Sequence, residues 1–521
     1  MKDRTMTTEA TPVAGTGSPA QFTHRQIMVT MSGLVIAMLL AMLDNMIVAP
    51  ALPTIVGDLG GLSHLAWVTT GYVLASTAST PIWGKLGDLF GRRITFISSV
   101  VVFLAGSALA GMSQNMGELI AFRAMQGLGA GGLMVGVLSI VGEMIPPRER
   151  SKYMGLMMAV MPVAMIGGPL AGGFITDNFS WRWAFYVNLP LGAIALVVCW
   201  FTLAKLPRGT GRAKIDWLGA GLLTVWITSL VLITSWGGTE YDWSSPTIIG
   251  LVVLTLAAFV AFVVVQRRVA EPIMPLRVFT NLNFNLSGGL AFISGFAMFG
   301  AVTFLPQFQQ FVQGSSATNS GLLLMPMMIA AMAVSLASGT IIGKTGHYKV
   351  FPIVGSTLIA LSLGLFATID VDTTKTTTAF YMVLLGAGMG CLMQTSTLIA
   401  QNSIELRDIG AGTGASTFLR NMGSSLGVSL LGALYTSSLT DSLSGGGAAL
   451  PGEANQMTPA VLKALPPQAQ HVFQTAVTDG VTTLFTVAGC VAAVGIVVAL
   501  FIKQVPLRGR ATAEEVVVAE V

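Results

Sequence analysis

The chain has 521 residues and a formal net charge of +4, and 53% of its residues are hydrophobic while only 10% are charged. Because soluble domains carry about 25% charged residues, this composition excludes an ordinary soluble protein and indicates a chain surrounded by lipid. The positive balance does not indicate nucleic-acid binding, because the basic residues alternate between the two sides of successive apolar segments.

Apolar segments recur along the whole sequence, each near the roughly 20 residues that a helix needs to cross about 30 Å of hydrocarbon. They predict an all-α integral membrane protein with fourteen transmembrane helices. In chain order, the predicted helices are 27–56, 66–83, 94–112, 118–144, 153–176, 184–204, 217–236, 246–265, 284–312, 320–343, 350–369, 377–402, 410–438 and 480–503.

The distribution of lysine and arginine predicts how the chain is oriented. Of the 27 basic residues, 22 lie in the two terminal tails or in every second loop. By the positive-inside rule this side is cytoplasmic, so both termini are predicted to be cytoplasmic. The remaining basic residues are Arg182, Lys375 and Lys463 in the opposite loops, and Arg123 and Arg420 within predicted helices.

A weak internal repeat predicts two related halves. The segment GKLGDLFGRR after the second helix has glycines at 84 and 91, and GTIIGKTGHY repeats that spacing at Gly339 and Gly346. Helices seven and eight are then an inserted pair in a six-plus-two-plus-six arrangement. The predicted segments are a disordered tail without a signal peptide at 1–26, an N-terminal half at 27–204, a linker at 205–216, the inserted pair at 217–265, a C-terminal half at 266–503 that includes a flexible extracellular loop at 439–479, and a tail at 504–521.

The first helix contains LLAMLDNMIVAPALP at 39–53, in which one carboxylate, Asp44, interrupts an apolar run. An aspartate near a helix centre costs about 2.5–3.5 kcal/mol on insertion scales, so it should face a partner or a cavity. A carboxylate in such a place can alternate between a proton and a cation. Asp44 is therefore a candidate for proton coupling and substrate binding, and the alternative is a structural hydrogen bond.

After the second helix, GKLGDLFGRR carries Gly84, Asp88, Gly91, Arg92 and Arg93. This segment resembles the signature loop of the major facilitator superfamily. The resemblance implies a conformational switch, in which the aspartate and the arginines latch the two halves together on the inner side when the outer side is open. The alternative is a basic loop that only follows the positive-inside rule.

In the fourth helix, RAMQG at 123–127 resembles the R-x-x-Q-G motif of the fourteen-helix drug:proton antiporter family within that superfamily. The first helix resembles the family's L-D-x-T pattern, but Met46 stands where threonine is usual, which removes a hydroxyl beside Asp44. The resemblance implies that Arg123 helps the coupled proton enter or leave. The alternative is a structural anchor between helices.

In the fifth helix, Gly168, Pro169, Gly172 and Gly173 match the antiporter signature G-P-x-x-G-G. Proline predicts a kink and the glycines predict close helix contact, which could seal the interior against proton leak. The alternative is a packing motif without a further role. The segment WRWAFYVNLPLG at 181–192 is also similar to that family.

No motif for a cofactor stands out. GLGAGG at 127–132 fits G-x-G-x-x-G, but it lies within a predicted membrane helix and follows no strand, so we interpret it as close helix packing. The three cysteines lie in apolar segments, which argues against a metal cluster. We therefore expect no cofactor, nucleotide, nucleic acid or metal, and a proton gradient as the source of energy.

Several uncharged side chains and one charged side chain within the helices are candidates for lining a substrate cavity. In the ninth helix, phenylalanines recur at spacings of three to five beside glutamines, which would suit aromatic compounds. The alternative is a stripe that faces lipid or neighbouring helices. The candidates are Gln126, Phe296, Phe299, Gln307, Gln394 and Arg420.

The resemblance implies a proton-coupled antiporter of the cell membrane, not an enzyme, that exports lipophilic drugs by alternating access and thereby confers resistance. Its substrates are expected to be cationic or neutral. Two alternatives stay open at this stage. One is a proton-symporting importer of a small metabolite, and the other is a membrane receptor or scaffold without transport.

Overall fold

The computed structural model describes residues 23–59, 65–146, 153, 156, 157, 160–206, 215–238, 241–315, 323–445, 462 and 465–507. Apart from one isolated bridge between Gly237 and Tyr241, the regular structure within these ranges is helical. The long helices are α1 (His24–Leu59), α2 (Leu65–Phe90), α3 (Arg92–Met112), α4 (Met116–Met144), α5 (Val160–Asn178), α6 (Trp183–Thr202, interrupted at Val187), α7 (Trp217–Trp236), α8 (Pro246–Gln266), α9 (Leu282–Phe311), α10 (Met325–Thr345), α11 (Val350–Phe366), α12 (Lys375–Asn402), α13 (Ile409–Gly445) and α14 (Pro467–Leu500).

Each predicted membrane segment corresponds to one of these long helices in the described part of the chain. Within the described residues, ten helices are long and apolar enough to cross a membrane by length and composition. The all-helical fold is therefore confirmed. The fourteen crossings, the six-plus-two-plus-six division and the cytoplasmic position of both termini stay predictions.

Polar side chains begin several helices where the chain leaves the apolar layer. Asn115 caps α4, because its side chain accepts a hydrogen bond from the backbone N–H of Glu118 at 2.9 Å. The Glu118 carboxylate in turn accepts one from the N–H of Gln114 at 2.9 Å. Asp216 and Ser245 cap α7 and α8 in the same way. These bonds satisfy backbone donors that would otherwise be costly near lipid.

The signature segment at 84–93 is helical, which corrects the expectation of a loop. α2 continues to Phe90 and α3 begins at Arg92, so Gly91 alone makes the turn, with a φ of 92°. This left-handed conformation favours glycine. Gly346, its counterpart in the predicted repeat, ends α10 with a φ of 71°. The two glycines therefore occupy equivalent positions after the second and tenth helices.

The predicted extracellular loop at 439–479 is also more helical than expected. α13 extends to Gly445 and α14 begins at Pro467, so both helices continue into the predicted loop. Residues 446–461 lie outside the described residues. Most of the predicted tails at 1–26 and 504–521 and of the linker at 205–216 also lie outside them.

Buried apolar side chains form separate clusters in the N-terminal and C-terminal parts of the chain. One cluster joins α1, α3, α4 and α6 around Phe103, and another joins α9 to α14 around Phe366. The predicted inserted pair, α7 and α8, packs between them, where Trp226 contacts the rings of Phe262 and Phe418. α2 and α13 meet in this third cluster, so they form the interface between the two halves.

Candidate functional site

The buried centre of the N-terminal helices is an ion pair between Asp44 on α1 and Arg123 on α4. Asp44 is 0% exposed, and its Oδ2 accepts a hydrogen bond from a terminal nitrogen of Arg123 at 2.5 Å. Its Oδ1 accepts from Nε2 of Gln126 at 2.8 Å and from Nδ2 of Asn188 at 2.6 Å. The structure thus brings three of the predicted site residues, Asp44, Arg123 and Gln126, into one network.

The guanidinium of Arg123 has partners on every side. It donates to the carbonyl oxygen of Val68 at 3.3 Å, to Oε1 of Gln126 at 2.8 Å and to Oδ1 of Asn45 at 3.2 Å. Its Cζ atom lies 4.3 Å from the centre of the Tyr72 ring, a cation–π contact. Breaking a buried ion pair by removing one partner costs about 3–5 kcal/mol, so these bonds stabilise the arrangement as a unit.

Asn188 is the site residue that the sequence analysis missed. Besides its bond to Asp44, Nδ2 of Asn188 donates to Oγ of Ser107 at 2.9 Å, and Ser107 donates to the carbonyl oxygen of Phe185 at 2.8 Å. An amide inside the apolar segment of α6 was the available signal, because buried polar groups need partners. Asn188 supplies the polar support for Asp44 that the methionine at position 46 cannot.

The antiporter signature on α5 packs against α1 beside the ion pair. A Cβ atom added at Gly168 would lie 2.2 Å from Cβ of Met46, and one at Gly172 would lie 2.3 Å from the carbonyl oxygen of Ile47. Gly173 differs, because an added Cβ would meet nothing within 4 Å. α5 continues through Pro169, whose side chain lies outside the described residues, and the predicted kink stays a prediction.

The two neighbouring glycines provide a matched pair of variants. Gly172→Ala is expected to lower the free energy of unfolding by about 1–3 kcal/mol, because the backbone of α1 must move to admit the methyl group. Gly173→Ala is expected to leave the free energy of unfolding unchanged or to raise it slightly. Thermal unfolding of both purified variants measures the difference, and equal destabilisation would contradict a close α1–α5 contact at position 172.

On the predicted cytoplasmic side, α2 docks against the start of α13. The Asp88 carboxylate accepts hydrogen bonds from the backbone N–H groups of Gly410 at 2.9 Å and Ala411 at 2.7 Å, and it pairs with Arg92. A carboxylate is stabilised at a helix N-terminus by such donors. A Cβ atom added at Gly84 would lie 2.4 Å from the carbonyl oxygen of Gly410. We call this arrangement of five residues the α2–α13 contact.

The two arginines of the signature segment have different partners. Arg92 also donates from Nε to Oε2 of Glu143 at 3.1 Å, which connects the α2–α13 contact to the end of α4. Arg93 donates to the carbonyl oxygen of Trp200 at 2.9 Å, and its Cζ lies 4.8 Å from that ring. Arg93 therefore joins α3 to α6 within the N-terminal half.

Further contacts close the same side. Lys85 pairs with Glu271 at 2.8 Å, and Nε2 of Gln401 on α12 donates to the carbonyl oxygen of Leu138 on α4 at 3.2 Å. On the same side, the Arg277 guanidinium donates hydrogen bonds to the Asp408 carboxylate at 2.9 and 2.8 Å, and these bonds raise the pKa of Arg277. The structure therefore shows a conformation whose predicted cytoplasmic side is closed.

The remaining cavity candidates lie on helices of the C-terminal half. Gln394 on α12 accepts a hydrogen bond from Ser335 on α10 at 2.7 Å. On α9, Phe296 is buried, Phe299 is 41% exposed and Gln307 is partly buried. These residues are separate from the Asp44 network, which belongs to α1, α2, α4 and α6. Among the described residues, no group of three or more His, Cys, Asp or Glu side chains could hold a metal ion.

Comparisons with known proteins agree with this architecture. A family model described as Major Facilitator Superfamily matches residues 34–428. The chain is 40% identical over 505 residues to an uncharacterized MFS-type transporter of Mycobacterium tuberculosis, covering 96% of this chain and 73% of that protein. It is 36% identical over 517 residues to the multidrug transporter protein MdtP of Bacillus subtilis, covering 93% and 94%. The solved structure of the proton:xylose symporter XylE, at 12% identity, covers 96% of this chain and 100% of that chain with a TM-score of 0.61, which shows a shared fold.

Proposed function

Because this chain belongs to the major facilitator superfamily and is a multi-pass transporter of the cell membrane, not an enzyme, we propose that it exports lipophilic drugs, cationic or neutral, in exchange for protons. Relatives named multidrug transporter protein and multidrug resistance protein support export as the direction of transport. The observation that carries the proton coupling is the buried pair of Asp44 and Arg123.

Asp44 is a group that a proton can bind only by displacing another cation. When a proton neutralises the carboxylate, Arg123 loses the charge that compensates it in a buried site, so the pair must separate. Because the carboxylate is bonded to α4 and α6 while it belongs to α1, its protonation loosens three helices at once. A cationic drug that reaches Asp44 would displace Arg123 in the same manner, and competition at one site yields exchange.

The closed cytoplasmic side supports alternating access around this site. The α2–α13 contact joins the two halves through a carboxylate and a helix N-terminus, a geometry that two rigid bodies can form and break. In the cycle that we propose, the drug enters when this contact is open and leaves outward when it is closed. The proton enters from outside and leaves to the cytoplasm.

Inside-out vesicles with an acidic lumen test the exchange directly. Addition of ethidium, a lipophilic monocation, is expected to raise lumenal pH in vesicles that contain the transporter and not in vesicles that lack it. An exchange of one proton for one monocation is electroneutral, so valinomycin with potassium should leave the rate unchanged while nigericin abolishes it. A neutral lipophilic probe should respond to both ionophores. Absence of drug-dependent proton movement in every case would contradict the antiport proposal.

The main alternative is import of a small metabolite with protons, as the fold is shared with a proton:xylose symporter. The same vesicles distinguish the two directions. An importer would release a preloaded lumenal metabolite together with protons and would not concentrate an added drug in the lumen. Because the chain is a transporter, we do not propose a receptor or scaffold without transport.

A further inference from the structure

Arg420 is a charged residue within α13, 11 residues after Ile409 and therefore about 16 Å from the start of the helix. Neither acid near α13 can reach it. Asp408 lies about 18 Å away along the chain and is held by Arg277 through bonds of 2.9 and 2.8 Å. Asp441 lies about 32 Å away along the helix. No ion pair within the described part of the chain includes Arg420.

The guanidinium of Arg420 is also poorly supplied with acceptors. It has five N–H donors, and its recorded bond is from Nη2 to Oγ1 of Thr397 on α12 at 3.1 Å. Its Nε is buried, with no acceptor among the described residues. A charged side chain at membrane depth is costly unless it is paired, which makes such a residue a functional candidate.

Two hydroxyl groups on the same face of α13 also lack hydrogen-bond partners among the described residues. Ser416 and Thr417 precede Arg420 by four and three residues, so they lie one turn away on its face of the helix. Oγ of Ser416 and Oγ1 of Thr417 are buried, without a hydrogen-bond partner in the part of the chain that the structure describes. We call Thr397, Ser416, Thr417 and Arg420 the Arg420 cluster.

Arg123, the other arginine within a predicted membrane helix, differs because its guanidinium has charged, polar and aromatic partners. Arg123 has a carboxylate from Asp44, an amide oxygen from Gln126 and an aromatic face from Tyr72. Among the described residues, Arg420 has one hydroxyl oxygen as its acceptor. Asp44 is neutralised by Arg123, whereas no ion pair among the described residues compensates the positive charge of Arg420, which favours an anion there.

The position of the cluster suits a substrate group. Gln401 donates to Leu138 on α4 at 3.2 Å and to Thr413 on α13 at 3.0 Å, which closes the predicted cytoplasmic side. Thr413 lies seven residues before Arg420, so the cluster is about 10 Å beyond this closure toward the outside. A group held there is separated from the cytoplasm in this conformation.

We propose that the Arg420 cluster binds the carboxylate or other acidic group of an amphiphilic substrate, so that the transporter also exports lipophilic organic acids and zwitterions. The guanidinium supplies a charged donor and the hydroxyl groups supply neutral donors, the combination that a carboxylate accepts. This inference rests on the proposed export function but extends it beyond cationic and neutral drugs. Exchange of a monoanion for one proton moves two positive charges inward per cycle, so it responds to membrane potential as well as to pH.

A pair of fluorescent probes that differ only in charge tests the proposal. Dansylglycine carries a carboxylate, and its methyl ester is neutral with the same aromatic body. Equilibrium binding to the purified full-length protein is measured for both probes by dansyl fluorescence, and their uptake is measured in inside-out vesicles. The wild type is expected to bind the acid about 10- to 100-fold more tightly than the ester, because hydrogen bonds to charged groups are the stronger ones.

Two substitutions at position 420 separate charge from packing. In Arg420→Gln, which keeps an amide donor near Thr397, the ratio of acid to ester affinity is expected to fall at least tenfold, and Arg420→Lys is expected to restore part of it. Ester affinity serves as the measure of general damage to the protein. An unchanged acid-to-ester ratio in Arg420→Gln, or a wild-type preference for the ester, would overturn the proposal.

Binding and transport together distinguish this inference from the export function. Export of ester and ethidium without export of the acid would overturn the acid site and leave drug efflux standing. Binding of the acid that depends on Arg420, with neither probe transported, would support the site and contradict the proposed efflux.

Discussion

Asp44→Asn is expected to abolish drug-dependent proton release from inside-out vesicles, a loss of at least a hundredfold. Asparagine is nearly the same size and keeps an oxygen that can accept from Asn188, but it cannot exchange a proton. It also lacks the charge for which Arg123 and a cationic drug would compete. The measurement is the rate of lumenal pH change after addition of ethidium, normalised to the amount of transporter in the vesicles.

The same substitution leaves Arg123 buried without its counter-ion, so a loss of stability must be separated from a loss of coupling. Breaking the pair is expected to cost about 3–5 kcal/mol. The double variant Asp44→Asn with Arg123→Gln removes both charges, and it should recover most of the thermal stability without recovering proton release. A double variant that recovers both would show that Asp44 has a structural role only.

Asp58 offers a matched carboxylate on the same helix. It is exposed near the C-terminal end of α1, where it accepts a hydrogen bond from the indole N–H of Trp181 at 2.8 Å. Asp58→Asn removes the same charge without touching the buried pair, so proton release should stay within about twofold of the wild type. Equal losses in both variants would indicate a general electrostatic effect, and proton release unchanged by Asp44→Asn would place the coupling elsewhere.

The sequence was sufficient to find the charged members of the site but not their partners. Asp44 and Arg123 stand out because charges are costly within apolar segments, and this is a local property of each segment. Asn188 is 144 residues from Asp44, and its bond to the carboxylate depends on how α6 packs against α1. No spacing rule links two helices that are distant in the chain, so the network became evident only from the fold.

Helix ends were predicted less well than helix positions, for a related reason. Hydropathy reports where lipid surrounds the chain, whereas a helix continues as long as its backbone hydrogen bonds and packing favour it. α2 therefore continues past the charged residues Lys85 and Asp88 to Phe90, and α14 begins at Pro467, well before the apolar segment. That Gly91 alone makes the turn between α2 and α3 became evident only from the fold.

Gly84→Val is expected to reduce transport more than tenfold by preventing closure of the predicted cytoplasmic side. A Cβ atom at this position would lie 2.4 Å from the carbonyl oxygen of Gly410, and a backbone atom cannot avoid it by changing rotamer. Overpacking of this kind costs about 1–3 kcal/mol, which shifts an equilibrium between open and closed states roughly 5- to 150-fold. The penalty applies only to the conformation in which α2 and α13 touch, so the cytoplasm-open state should become dominant.

Accessibility of α13 reports this shift directly. Ala411 is buried in the α2–α13 contact, so a cysteine placed there, in a chain whose other cysteines are replaced, should react slowly with a membrane-impermeant maleimide in inside-out vesicles. Gly84→Val should accelerate the reaction at least tenfold. Gly364→Val on α11 is the matched control, because a Cβ atom there would meet nothing within 4 Å, and it should change neither the labelling nor the transport. If Gly84→Val lost transport with labelling as slow as in the unsubstituted chain, closure would not be the step affected, and the α2–α13 contact would not be the inner gate of the cycle.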